Sequence, residues 1–342
     1  MSKKILKLAK TPIICYPDYV YPLSVILNEE DSLDWFYSNF IQIYHEKDAK
    51  DSPVNFCYSD RNNRLWDTRF SLLDYQNIQK DTIDQLNIDI VDFLTTIIDT
   101  DFYCYLYLDE YYLPNSYVYE KLHFSHVEFI YGYDLDEKIF FMSGYDKSGH
   151  YNKYTYKFDD VKKAYMFCKR DYYHDKNTVY MFKYNEQGSP YHFDRNAVYM
   201  QAMEYLEARD SSVRYNHCFN PRQGMTYGVD VILQLVKDVE EYRRKNTNEI
   251  NVKSFCIMQE HKTLMILRLK YMIERGYLEG DNGCITLFEE LENEYKILLH
   301  LVLKNSINQN KEILERIISK LKENYEKETI VFKKFTNLMQ TF

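Results

Sequence analysis

Proton transfer at neutral pH needs particular side chains, and two histidines and an aspartate in this chain are candidates for it. His123 and His126 lie three residues apart in HFSHVEFIYGYDLDEKIFFMSGYD, a stretch that returns to Asp146. Two apolar segments, residues 126–134 and 138–146, flank Leu135-Asp136-Glu137. A three-residue hairpin loop sets His126 opposite Asp146, with Cβ atoms roughly 4.5–5.5 Å apart. The carboxylate then holds one ring nitrogen and leaves the other free to move a proton, the orienter–base pair of nucleophilic catalysis. A slip of one residue sets Tyr145 opposite instead. The same spacing also suits a hydrogen-bonded strand-edge histidine with no catalytic part. His123 reads as a loop residue and Asp134 as a turn residue.

A base needs a nucleophile. The chain has seven cysteines, Cys15, Cys57, Cys104, Cys168, Cys218, Cys256 and Cys284, scattered, odd in number and without a C-x-x-C pair. That pattern argues against a zinc site and a disulfide framework, and for a reducing compartment. No metal and no cofactor is expected. Cys15 stands apart because it precedes Tyr16-Pro17, and PDYVYPLSVIL can start a helix with proline in its first turn. A helix N-terminus stabilises a thiolate. Buried packing accounts equally well for Cys15, and is the expectation for the other six.

The elements that must position these groups follow from periodicity. SLDWFYSNFIQIYHE and DTIDQLNIDIVDFLTTIID read as helices, the second with Asp81 as cap. From about residue 100 to 185 strand signals dominate: FYCYLYLDEYY, a Pro-Asn-Ser turn at 114–116, HVEFIYGYD, KIFFMSGYD, YNKYTYKF and TVYMFKYN, with FDDVKKAYMFCKR as an intervening helix. Beyond GSPYHFD at 188–194 the pattern turns helical, and VDVILQLVKDVEEYRR and SFCIMQEHKTLMILRLKYMIERG have apolar faces. The expected fold class is α+β, with a mixed domain over 1–190 (helices plus an antiparallel sheet) and an α-helical domain over 191–342.

The 342 residues carry a net charge of −9, which disfavours nucleic acid and anionic membranes as partners. No apolar run of about 18 residues occurs, so no membrane helix is expected, and the N-terminus lacks the features of a secretory signal. The expected location is cytoplasmic.

The strand His126-Val-Glu-Phe-Ile-Tyr-Gly-Tyr-Asp134 resembles the histidine strand of papain-like cysteine peptidases of the bacteriocin-processing type. The longer block from LDEYYLPNSYVYEKLHFSHVEF to KFDDVKKAY, with SLDWFYSNFIQIY and EHKTLMILRLKYM, is similar to the butirosin biosynthesis protein H family. The resemblance implies a papain-like N-terminal domain, a helical C-terminal region and a place in natural-product or antibiotic biosynthesis. It implies acyltransferase chemistry: a cysteine takes an acyl or aminoacyl group from a carrier-protein thioester and passes it to an amine. His126 matches the general base and Asp146 the orienter. The family's nucleophile falls shortly before a Leu-x-Ser-like run, here Pro22-Leu23-Ser24-Val25-Ile26-Leu27, which sets Asp18 or Tyr19 at its place and Cys15 a few residues earlier. Either a short insertion keeps Cys15 as nucleophile, or the thiol is gone. A missing thiol leaves a proximity-and-base catalyst or a non-catalytic scaffold. A cysteine peptidase or amidase on a small peptide uses the same three residues. The expected partners are an acyl or peptidyl carrier protein with an amine acceptor, or a peptide substrate. The C-terminal helices would supply a carrier dock or a homodimer contact, with Lys253, Lys262, Arg268, Lys270 and Arg275 as basic candidates.

Overall fold

The computed structural model describes residues 2–49, 51–57, 70–170, 176–188, 190–215, 223–245 and 250–340. In chain order the strands are β1 (Lys3–Ile5), β2 (Ile43–Glu46), β3 (Val54–Phe56), β4 (Leu73–Gln79), β5 (Tyr103–Asp109), β6 (Ser125–Asp134), β7 (Ile139–Tyr145), β8 (Tyr151–Lys157), β9 (Thr178–Tyr184) and β10 (Met225–Tyr227). The α-helices are α1 (Pro17–Ile26), α2 (Leu33–Ser38), α3 (Lys80–Gln85), α4 (Ile90–Asp99), α5 (Phe158–Met166), α6 (Arg195–Leu206), α7 (Asp230–Lys245), α8 (Val252–Glu274), α9 (Cys284–Asn308) and α10 (Lys311–Gln340). Mixed helix and antiparallel sheet followed by a helical region is thus the observed class. The chain divides into two compact units, Met1–Glu30 with Leu65–Ser189, and Asp31–Arg64 with Pro190–Phe342. One division falls between Ser189 and Pro190, inside the GSPYHFD stretch. Segment 31–64 departs from the expected 1–190 domain and belongs to the second unit.

The first unit is built on an antiparallel sheet in the order β4-β9-β5-β6-β7-β8, with β1 added to β6. β6 is long enough to share one edge: residues 125–130 pair with β5, and Gly132–Asp134 pair with β1. A bulge between Ile130 and Gly132 separates the two pairings. Gly132 is required by closeness, because a Cβ there would lie 2.7 Å from the carbonyl oxygen of Lys4 and 2.9 Å from Cα of Ile5.

Alternation along the strands gives the sheet two apolar faces. Leu106, Leu108, Ile130 and Met142 pack with Ile90, Leu94 and Ile98 of α4 and with Val161 and Ala164 of α5. The spacing 90, 94, 98 is one helical stripe, and Asp89 caps it by accepting from the Val91 amide at 2.9 Å. The opposite face carries an aromatic layer in which Tyr21 of α1 stacks on Phe129, with ring centroids 4.8 Å apart, and Phe129 stacks on Phe182.

Two expected helices are shorter than their periodicity suggested. The segment 81–99 is broken at Asn87, which adopts φ +55°, so α3 ends and α4 restarts under its own cap. The segment 32–46 is helical only through Ser38. Phe40 at φ +60° turns the chain into β2.

In the second unit β10, β2 and β3 form a small sheet beside α2 and the helices from α6 to α10. Arg268 is fully buried and donates from Nε to the Tyr37 carbonyl at 2.8 Å and from Nη2 to the Asn39 carbonyl, satisfying the open end of α2. Lys262 is equally buried. It pairs with Glu328, which also accepts from Tyr295 Oη at 2.9 Å, and its Nζ lies 2.7 Å from His261 Nδ1. These two cations are therefore core residues, and the expected basic docking patch loses two of its five members.

Candidate active site

The elements carrying Cys15, His126 and Asp146 all belong to the first unit, but strand pairing gives His126 a different partner. Its Nδ1 lies 2.8 Å from Glu110 Oε1. In the β5–β6 register His126 faces Leu108, so Glu110 sits two residues on along the neighbouring strand, in diagonal reach on the same face. Glu110 opens a short 3₁₀ turn, Glu110–Tyr112, and its backbone N–H donates to the Phe124 carbonyl at 2.9 Å. The second carboxylate oxygen accepts from Ser116 Oγ at 2.6 Å. Ser116 is placed by the expected Pro-Asn-Ser turn, which closes with Ser116 N donating to the Leu113 carbonyl at 2.9 Å. The imidazole is one-third exposed and the Phe124 ring stacks beside it. Glu110 thus fixes one ring nitrogen while the ring keeps an open edge.

Asp146 does not fill the orienter's place; this is a correction. The loop between β6 and β7 holds four residues rather than three, since Asp134 pairs with Ile139. The bulge then restores the expected register at Phe129↔Ser143, but the ladder runs no further toward His126. Asp146 turns into the β7–β8 loop. It accepts from the Ser148 and His150 amides at 2.8 and 3.1 Å and from Asn152 Nδ2 at 2.7 Å. The Asn152 bond and these backbone donors hold its carboxyl below the ordinary aspartate value.

His123 also has a carboxylate. Its Nδ1 is 2.7 Å from Asp109 Oδ2, and its ring stacks on Tyr111 at 4.2 Å between centroids. Buried Asp109 meanwhile accepts from the Tyr111 and Phe124 amides. Two histidines three residues apart are therefore served by consecutive acids, Asp109 and Glu110, at the end of β5. Asp134 is the expected turn residue, accepting from the Asp136 and Glu137 amides at 3.1 Å each.

Cys15 is half-buried and stands two residues before α1, with Tyr16 at the cap position and Pro17 in the first turn. Asp18 in that same turn opposes a thiolate nearby. Tyr145 at the end of β7 donates from Oη to the Ile14 carbonyl at 2.5 Å, tying the Cys15 segment to the sheet. Strand alternation sends Val127 and Phe129 to the face packed by α1, and His126, Glu128 and Ile130 to the other. Cys104, Cys168 and Cys284 are buried, Cys57 and Cys256 are half-buried, and Cys218 lies outside the described residues.

Sequence reasoning missed Glu110 and Glu128. Glu110, His126 and Glu128 each offer a ligand atom within 4.8 Å of the others. Glu128 is buried and accepts from Tyr154 Oη at 2.9 Å. Burial first, and the Glu110 charge second, push its carboxyl well above the ordinary range, so it holds a proton that an ordinary glutamate would lose. The missed signal was a charged residue inside an otherwise apolar strand, His-Val-Glu-Phe-Ile. Tyr21 completes the group. Its hydroxyl is fully buried and unpartnered. A Cβ on Gly144 would lie 2.3 Å from Tyr154 Oη and 3.3 Å from Tyr21 Oη, so the absence of a side chain there lets both hydroxyls in.

No protein-family model matches the chain, and no curated protein matches it significantly. Its chemistry is therefore read from the site. The second unit has a 510 Å³ cavity lined by Asp210, Thr226, Tyr227, Asp230 and Lys237 among others, with neither an imidazole nor a thiol among the described residues of its walls. Among the described residues, no helix is long and apolar enough to cross a membrane.

Proposed function

We propose that the chain is a papain-like acyltransferase of natural-product biosynthesis, moving an acyl or aminoacyl group from a carrier-protein thioester to an amine. The observation that carries this reading is the Glu110–His126 pair, a partly exposed imidazole fixed through one nitrogen at 2.8 Å. Pro17 in the first turn of α1 directly behind Cys15, and the similarity of the 108–165 block to the butirosin biosynthesis protein H family, support the same reading. His126 takes the Cys15 thiol proton as the thiolate attacks the thioester carbonyl, and returns it to the leaving carrier thiol. The amine then attacks the Cys15 thioester, gives its proton to His126, and Cys15 leaves as thiolate. Glu110 holds the ring throughout and stabilises the imidazolium.

A second reading has one observation behind it: strand alternation turns His126 away from the α1 face. In that reading the imidazole deprotonates the acceptor amine directly, the amine expels the donor thiol in one transfer, and Cys15 takes no part. Intact-mass analysis after mixing with an aminoacyl thioester of N-acetylcysteamine separates the two. The nucleophilic reading expects an acyl adduct that Cys15→Ala abolishes together with amide formation. The direct reading expects no adduct and an unaffected Cys15→Ala variant. Undiminished amide formation by His126→Ala removes both.

A further inference from the structure

We propose that Glu110, His126 and Glu128 form a binding site for a divalent transition-metal cation of the zinc or cobalt type. This goes beyond acyl transfer and does not rest on it. A metal held on the imidazole withholds it from base catalysis, so the two uses of His126 compete.

The first support is the donor geometry. One imidazole and two carboxylates converge with mutual separations no greater than 4.8 Å, and His126 Nδ1 lies 2.8 Å from Glu110 Oε1. Ligand bonds of roughly 2.0–2.2 Å in a tetrahedral arrangement need donor separations of about 3.4 Å, between those two values. An imidazole with carboxylates is a donor set for first-row transition metals, and three protein ligands leave a position for water.

The second support is charge. Three other buried carboxylates have cationic partners, Asp134 with Lys3, Glu204 with Arg214 and Glu328 with Lys262, while Asp109 is met by His123 and two backbone amides. Among the described residues no Lys or Arg pairs with Glu110 or Glu128. Their hydrogen-bonding neighbours are Ser116, His126 and Tyr154. A divalent ion would supply the counter-charge that this pair lacks.

The third support is Tyr21, which is independent of the cluster. Its hydroxyl is fully buried, has no hydrogen-bond partner among the described residues and meets the Glu128-bound Tyr154 hydroxyl over Gly144. A buried phenol without a partner is costly, and a water in a metal's open position would supply one.

The test is equilibrium dialysis of the whole chain against Co²⁺ alone, with absorption spectra of the loaded protein. The expected result is one Co²⁺ per chain with no sulfur-to-cobalt charge-transfer band. Glu128→Gln and Glu110→Gln should each weaken binding by at least about 10-fold, and Tyr21→Phe by a smaller factor. Glutamine copies the shape of a protonated glutamate, so Glu128→Gln keeps the fold, which circular dichroism verifies. No saturable binding, a thiolate charge-transfer band, or unchanged affinity in Glu128→Gln overturns the proposal. None of these readouts uses acyl transfer, so failure here leaves that reading untouched.

Discussion

At the residue scale, the division of labour among carboxylates decides the site. Glu110 bonds His126, Asp146 builds a turn, and burial pushes the Glu128 carboxyl above the ordinary range. Glu128 has a direct thermodynamic consequence. Its folded-state pKa is raised above the ordinary glutamate value of 4.5, so the folded chain binds a proton that the unfolded chain has released. Its contribution to stability is therefore intact at low pH and declines as pH rises above that value. In chelator-treated buffer, Glu128→Gln should melt at a higher temperature than the parent at about pH 8, with the gap closing below about pH 4. A gap of the same size at both pH values would show that Glu128 ionises freely in the fold. The carboxyl of Asp146 is shifted the other way, and the turn it stabilises weakens as pH falls through its lowered pKa.

At the element scale, the strand and helix order from 100 to 185 was legible because each segment carries its own period and its own punctuation. The Pro-Asn-Ser turn, α5 and the strands on either side of it stand where the pattern set them. Two local conformations escaped notice. The φ +55° of Asn87 and the φ +60° of Phe40 break runs whose apolar spacing reads as continuous helix. Tertiary contacts hold the second break, with Arg268, 228 residues away in sequence from Phe40, bonding the carbonyls there. The orienter was missed for a related reason. Hairpin arithmetic pairs neighbours in sequence, whereas Glu110 reaches His126 through the β5–β6 pairing, with the Pro-Asn-Ser turn between the two strands. β1 depends on one residue at this scale. Gly132→Ala should cost about 1–3 kcal/mol, as overpacking does, and should speed amide exchange at Lys4 and Ile5 relative to β5. Uniform exchange across the sheet would contradict the close approach seen at Gly132.

At the scale of the molecule, composition and charge set the class, and GSPYHFD marked the change to helix correctly. Segment 31–64 joins the second unit because β2 pairs with β10, some 180 residues later, and no local pattern encodes that pairing. The second unit's buried Lys262–Glu328 pair with Tyr205, Tyr295 and His261 is a satisfied polar core. Losing either charge alone would strand the other, the usual reason such groups persist together. The basic residues of α8 that looked available for a carrier protein are thus partly committed to the interior. Lys253, Lys270 and Arg275 stay exposed.

Glu110, not Asp146, holds the His126 ring. Amide formation from an aminoacyl thioester and an amine, measured in single turnover for Glu110→Gln and Asp146→Asn, tests it most directly. The predicted result is a loss of about 10²-fold or more for Glu110→Gln, in the range of general-base catalysis, with Asp146→Asn near the parent rate. Equal rates for Glu110→Gln and the parent, or a loss confined to Asp146→Asn, would contradict it.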